Sequence, residues 1–194
     1  LLDELRARRR LPGHMILFVG TIEPRKNLVT LLRSYALLRE WTPAPPLVIA
    51  GARGWRHREV FAAVRELALE EHVLLPGYVP REELPLWYNA ADLFIYPSLY
   101  EGFGLPALEA MACGTPVITS NVSSLPEVVG EAGLTVGPND VEGMAEALQR
   151  VLTDAPLRME LRSKGLQRAA SFTWSRAAAE TVAVYDRALA GPVA

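Results

Sequence analysis

The chain has 194 residues, half of them hydrophobic and 22% charged, with a formal net charge of −2. That is enough apolar material for one large domain with its own core and too much for a disordered chain, and the slight acidity argues against a nucleic-acid binder. A single cysteine, Cys113 in "EAMACGTP", excludes a disulfide framework and a cysteine-rich metal site, and no apolar run reaches the roughly 18 residues of a membrane span.

The chain begins on Leu1 rather than Met and reads as a piece of something longer. Its first residues, "LLDELRARRRLPG", lack the order of a signal peptide, and a reducing cytoplasm is the compartment that fits. Residues 1–12 read as an interdomain linker or helix remnant, with the basic run Arg6 to Arg10 as a solvated face. "HMILFVG" (14–20) is a short apolar run closed by glycine, a buried strand. A helix follows over 27–41, with Leu28, Leu31, Leu32, Tyr35 and Leu38 on one face. Strand 46–51, helix 57–71, strand 72–77, short helix 80–91 and strand 92–98 succeed one another. A helix starts near Leu105, strands occupy 116–120 and 133–137, and helices fill 140–154, 155–172 and 173–190. The histidines flank these elements and read as structural or solvated, and the four tryptophans read as packing residues.

Buried strands alternating with helices predict an α/β fold: a doubly wound, Rossmann-like parallel sheet covered on both faces, with helices at its C-terminal end. Such sheets take ligands beyond the carboxyl ends of the strands, so the strand-to-helix loops are where chemistry is expected. In "GTIEPRKN", Gly20 ends a strand, Asn27 is a plausible N-cap, and Arg25 and Lys26 stand at a helix N-terminus that already favours an anion. Lys26 is one of only two lysines in an arginine-rich chain, which suggests selection for a compact charge. In "EGFGLPALEAMACGTPVI", Gly102 and Gly104 leave backbone amides uncovered for phosphate. Pro106 suits the first helical position and puts Glu109 in the first turn. Glu101 and Glu109, eight positions apart, are acceptor-only carboxylates suited to sugar hydroxyls. With no Asp-x-Asp and no neighbouring histidine, a metal site is not expected.

Taken in order, "GTIEPRKN", the long run "LPGYVPREELPLWYNAADLFIYPSLYEGFGLPALEAMACGTPVITSNVSSLPEVVGEAGLTVGPND" and the terminal "FTWSRAAAETVAVYDRAL" resemble the C-terminal domain of a group 1 (family 4) retaining glycosyltransferase of the GT-B fold, from about Gly13 to Leu189. The resemblance implies that residues 13–172 form the donor-binding domain and residues 173–194 a crossover helix. Apolar positions on that helix, such as Val182 and Tyr185, would then be exposed. Arg25, Lys26 and Glu101 are implied as the catalytic groups: the two cations hold the donor diphosphate and Glu101 contacts the transferred sugar. Glu109 is implied to bind the ribose. Gly20 and the backbone of Gly102, Phe103, Gly104 and Leu105 fall where the family contacts sugar and phosphates, and "PGYV" (76–79), with Gly77 and Tyr78, where it reads the base. The sequence departs from the family in two places: Thr21 stands where many relatives carry Arg, and Ser123 and Ser124 replace two glycines of a "GGxPE"-like element.

The expected function is the donor half of an enzyme that moves a hexose from a nucleotide-diphosphate sugar to an acceptor with retention. No cofactor or metal is required. The partners are the nucleotide sugar and an N-terminal acceptor-binding domain of the same full-length protein. Any peripheral membrane association would run through that missing half. "GTIEPRKN" resembles the mannose-transferring subset, which points to GDP-mannose, with a UDP-sugar as the alternative. The rival readings are a non-catalytic nucleotide-sugar-binding module and a GT-B-fold epimerase. A phosphorylase would need a lysine set for pyridoxal phosphate, and neither Lys26 nor Lys164 has that setting.

Overall fold

The computed structural model describes residues 1–191 and contains one parallel six-stranded sheet. Strands β1 (Ile16–Val19), β2 (Leu47–Ala50), β3 (Val73–Gly77), β4 (Leu93–Tyr96), β5 (Val117–Ser120) and β6 (Gly133–Val136) lie in the order β3-β2-β1-β4-β5-β6. Every residue of β2, β4 and β5 is buried, whereas the edge strands β3 and β6 are only partly so. A sheet covered on both faces leaves its inner strands no polar side, which is why they read as unbroken apolar runs.

The helices are α1 (Leu2–Arg9), α2 (Leu28–Trp41), α3 (Arg58–Glu66), α4 (Leu84–Ala90), α5 (Leu105–Ala112), α6 (Leu125–Val129), α7 (Val141–Thr153), α8 (Ala155–Ala170) and α9 (Trp174–Leu189). From β1 the chain winds outward to β2 and β3, then returns to β4 and winds the other way. Right-handed crossovers therefore put the helices of the two halves on opposite faces. Accordingly α2 packs on α3, while α5 packs on α4, α6 and α8; α7, which follows the last strand, joins the face of α2. The expected doubly wound architecture is the one observed, and the predicted face of α2 is buried at Leu28, Leu31, Leu32, Tyr35 and Leu38. Helix α1 lies against α4 and buries Leu5. In contrast α9 buries nothing: Trp174, Val182, Tyr185 and Leu189 are all exposed. The tip of the predicted 173–194 segment, residues 192–194, lies outside the described residues.

Several local expectations need correction. The helix expected over 57–71 stops at Glu66, because Ala68 turns left-handed (φ 52°) and the Leu69 amide folds back to the Val64 carbonyl. Helix α6 was hidden in a loop, since five residues are too few to show a period. Of the tryptophans only Trp87 is fully buried; Trp41, Trp55 and Trp174 are exposed. Cys113 is half-buried. Among the described residues no helix is long and apolar enough to cross a membrane.

The carboxyl ends of β1, β2 and β3 are drawn together through glycines. The Gly20 amide donates to the Ala50 carbonyl at 2.9 Å, and the Gly51 amide to the Gly77 carbonyl at 2.8 Å. A Cβ on Gly51 would stand 1.8 Å from the Gly20 carbonyl oxygen, a backbone atom that cannot swing aside. Gly51→Ala should therefore destabilise the fold by about 3 kcal/mol, the upper end for overpacking, read as a lowered midpoint at unchanged slope in urea unfolding. A loss under about 1 kcal/mol would mean the strand ends are free to separate.

Candidate functional site

The strand order reverses between β1 and β4, the switch point beyond which doubly wound sheets take their ligands in a crevice. The loop after β1 carries Arg25 and Lys26 on a turn of 3-10 helix over Pro24–Lys26, and the loop after β4 carries Glu101. Asn27 does not cap α2 with its side chain, as the sequence suggested. It adopts a left-handed backbone (φ 57°), and its Nδ2 donates to the Pro97 carbonyl at 3.2 Å and the Pro138 carbonyl at 2.6 Å. It thereby ties the loops after β1, β4 and β6 to one another. The Leu99 amide adds a bond to the Arg25 carbonyl at 2.8 Å.

On this frame three charges converge. Lys26 Nζ donates to Glu101 Oε1 at 2.6 Å and to the Tyr96 hydroxyl. Arg25 Nη1 lies 2.9 Å from Glu101 Oε2 and 2.8 Å from the Tyr100 carbonyl, and its Nη2 lies 2.7 Å from Glu23 Oε1. Lys26 is only 6% exposed and Glu101 only 9%. The sequence assigned the cations to phosphate and Glu101 to sugar as separate tasks; the structure joins them in one ion cluster. Burial would raise the Glu101 carboxyl, but the hydrogen bond and charge of Lys26 outweigh it and hold the group below the ordinary range. Burial pulls Lys26 below its ordinary value despite Glu101.

Glu109 lies in the second turn of α5, not the first: Leu105 opens the helix and Pro106 is its second residue. Its charge is therefore not there for the helix dipole, which acts within the first turn. Its Oε2 accepts from the buried Tyr88 hydroxyl at 2.9 Å. Burial, reinforced by Glu109, raises the Tyr88 phenol and keeps it a donor. Tyr96, which meets Lys26, is raised the same way, first by burial and then by Glu101. The rings of Phe18, Tyr96 and Phe94 stack at 5.8 Å spacings, and Tyr88 meets Phe94 edge-on at 5.4 Å. One aromatic stack thus braces both carboxylates. The tyrosines escaped sequence reasoning because each sits in a mostly apolar element.

Between the glutamates, Gly104 has φ 102°, and a Cβ there would meet Leu125 Cδ2 at 2.6 Å. Gly102 is different. It has ordinary backbone and nothing within 4 Å of its missing Cβ, so neighbouring protein atoms do not explain it. Among the described residues the amides of Gly102, Phe103, Gly104 and Leu105 donate to no protein acceptor. Gly77 (φ 82°) opens the way to an exposed Tyr78 at the carboxyl end of β3, beside the end of β2. Thr21 is exposed beside Gly20. His14 pairs with Asp92 at 3.0 Å at the opposite end of the strands, and His57 meets the Gly54 carbonyl at 2.7 Å, so neither joins the glutamates. Two concavities lie away from the crevice: one of about 420 Å³ between α2 and α3, and one of about 200 Å³ beside Cys113 and Arg162. Among the described residues no three His, Cys, Asp or Glu side chains cluster to hold a metal ion.

A family model described as "Glycosyl transferases group 1" matches residues 4–168. The chain is 46% identical over 170 residues to O-antigen chain mannosyltransferase B of Escherichia coli, covering 87% of this chain and 45% of that protein. Among solved structures it is similar to sucrose-phosphate synthase from Thermosynechococcus elongatus, with a TM-score of 0.83 and 34% identity over 98% of this chain and 49% of that one. It also shares its fold with HepE of Anabaena, solved in complex with UDP and glucose, at a TM-score of 0.83 and 21% identity over 94% of this chain and 52% of that one. The chain thus spans about half the length of these proteins or less.

The ion cluster has a pH signature. The Glu101 carboxyl is depressed in the folded state, so its contribution to stability is full above the unfolded value of about 4.3 and is lost as pH falls through the lower folded value. The gap in unfolding free energy between the native chain and Glu101→Gln should be constant near neutrality and should narrow below about pH 4.3. A gap that stays constant from pH 7 to the acid limit of folding would mean that Glu101 is not held as a paired anion.

Proposed function

The chain belongs to the group 1 glycosyltransferases, and from that premise we propose that it is the donor-binding half of a retaining hexosyltransferase. It takes a nucleotide-diphosphate sugar at the crevice between β1 and β4, and an N-terminal domain of the same full-length protein presents the acceptor. In this reading residues 13–172 form the donor unit and residues 173–194 the crossover helix. The observation that carries the proposal is the meeting of Arg25, Lys26 and Glu101 with unpaired backbone amides at the switch point of the sheet. The fully exposed face of α9 and the half-length match to the mannosyltransferase support a second domain.

Each residue then has a physical task. The difficult event is departure of the nucleoside diphosphate as negative charge gathers on its phosphates. Arg25, Lys26 and the amides of Gly102 to Leu105 at the start of α5 are already oriented for that charge, so little reorganisation is needed when it develops. Glu101 holds both cations while the crevice is open, and phosphate takes over the Arg25 contact. The carboxylate is then released toward the sugar hydroxyls. Glu109, steadied by Tyr88, accepts from the ribose and supplies binding energy remote from the reacting carbon. Gly102 has no Cβ because the donor approaches its backbone. Gly20, Gly77 and Tyr78 border the base and phosphates. The residues present give a cationic diphosphate site without a metal, and no general base is required in this half.

The mannosyltransferase relative favours GDP-mannose, and the UDP complex of the structural neighbour keeps a UDP-sugar as the second choice. A binding module without catalysis would share the crevice, and so would an epimerase. Release of free nucleoside diphosphate that depends on both an acceptor and the N-terminal half selects the transferase.

Calorimetric titration tests the division of labour. Lys26→Ala should weaken nucleoside diphosphate binding by about 1.5–3 kcal/mol, the range for hydrogen bonds to charged groups, and leave nucleoside binding nearly unchanged. Glu109→Gln should weaken every ribose-bearing ligand by about 1–2 kcal/mol. Glu101→Gln removes the anion that competes for the cations, so it should spare or tighten the bare diphosphate and weaken only the complete nucleotide sugar. EDTA should leave all these affinities intact. Equal losses for Glu101→Gln and Glu109→Gln across both ligands would overturn the assignment.

A further inference from the structure

Ser123 and Ser124 stand in the loop between β5 and α6, beyond the crevice loop of β4. Their hydroxyls are spent on the backbone of that neighbouring loop. Ser123 Oγ accepts from the Glu101 amide at 3.0 Å. Ser124 Oγ shares its proton between the Glu101 carbonyl at 3.0 Å and the Phe103 carbonyl at 2.9 Å. Ser124 occupies the cap position of α6, yet its side chain makes no capping bond there. Ser123 holds a left-handed backbone (φ 54°), a region that costs any residue with a Cβ. Glycine would sit there without strain. A strained serine is kept where its hydroxyl does something that glycine cannot.

The geometry shows what that is. A trans peptide points its N–H opposite to the preceding C=O. Ser124 draws the carbonyls of Glu101 and Phe103 toward α6, so the amides of Gly102 and Gly104 face away from it. These are two of the amides that find no protein acceptor. Ser123 meanwhile anchors the residue whose carboxylate holds Lys26 and Arg25. We propose that Ser123 and Ser124 are positioning residues: a two-point clamp that sets the Glu101–Leu105 loop with its amides and its carboxylate turned to an anionic, sugar-bearing ligand. The clamp rests on the reading of the crevice as a nucleotide-sugar site.

The test pairs stability with affinity. Ser123→Gly relieves the left-handed strain while deleting the hydroxyl, so its melting temperature should stay within about 4 °C of the native chain, the shift expected for about 1 kcal/mol in a domain of this size. Its affinity for whichever of GDP-mannose and UDP-glucose the native chain binds should fall about tenfold, the effect of one lost hydrogen bond. Ser124→Ala should show the same loss, and Ser124→Thr, which keeps the hydroxyl, should restore affinity. Guanosine or uridine, which have no phosphate, should bind all variants alike. If affinity follows melting temperature across the three variants, or if Ser123→Gly binds as the native chain does, the clamp is overturned and the site reading stands. If the native chain binds neither nucleotide sugar nor nucleoside diphosphate, the site reading fails and the clamp falls with it.

Discussion

The structure turns on a buried carboxylate held between two cations. Removing Glu101 and Lys26 from water carries a penalty of several kcal/mol for each ion, and it is tolerated because every charge is met. Glu101 has Lys26 on one oxygen and Arg25 on the other, Lys26 also has Tyr96, and Arg25 also has Glu23 and the Tyr100 carbonyl. Take away Glu101 and the buried Lys26 ammonium keeps only the Tyr96 hydroxyl. This requirement fixes the loop after β1 against the loop after β4, and with them the mouth of the crevice.

Such an arrangement is stable and yet exchangeable. Arg25 stays partly exposed while Lys26 does not. Under the proposed function, the donor diphosphate competes for the guanidinium at the surface without first extracting the ammonium from the interior. A compact ammonium fits a buried site between a phenol and a carboxylate, whereas the planar, multiply donating guanidinium suits the open edge, where it meets several acceptors at once. The two adjacent cations are not duplicates; burial divides their work.

Rigidity comes from the layer beneath. The aromatic stack of Phe18, Tyr96 and Phe94 links β1 to β4 across the switch point, and Tyr88 extends it to Glu109. Above it, glycines stand in two different surroundings. Gly51 and Gly104 are glycines because neighbouring protein atoms occupy the place of a Cβ. Gly102 is glycine with open space around it.

The sequence by itself determined the alternation of buried strands with helices, and hence the doubly wound sheet, because a strand covered on both faces must be apolar throughout. It also placed Arg25, Lys26 and Glu101 in loops at the carboxyl ends of strands, since glycine and proline punctuate those ends. Tertiary structure alone decided the rest. Residues 26 and 101 are far apart in the chain, and only the reversal of strand order at β1 and β4 brings them to 2.6 Å. The same holds for Tyr88 with Glu109 and for Ser124 with the carbonyls of Glu101 and Phe103. In the last two cases one partner, Tyr88 or Ser124, reads from sequence as an ordinary core or loop residue. A hydroxyl's role depends on which backbone or carboxylate the fold sets opposite it, and no local pattern of residues encodes that.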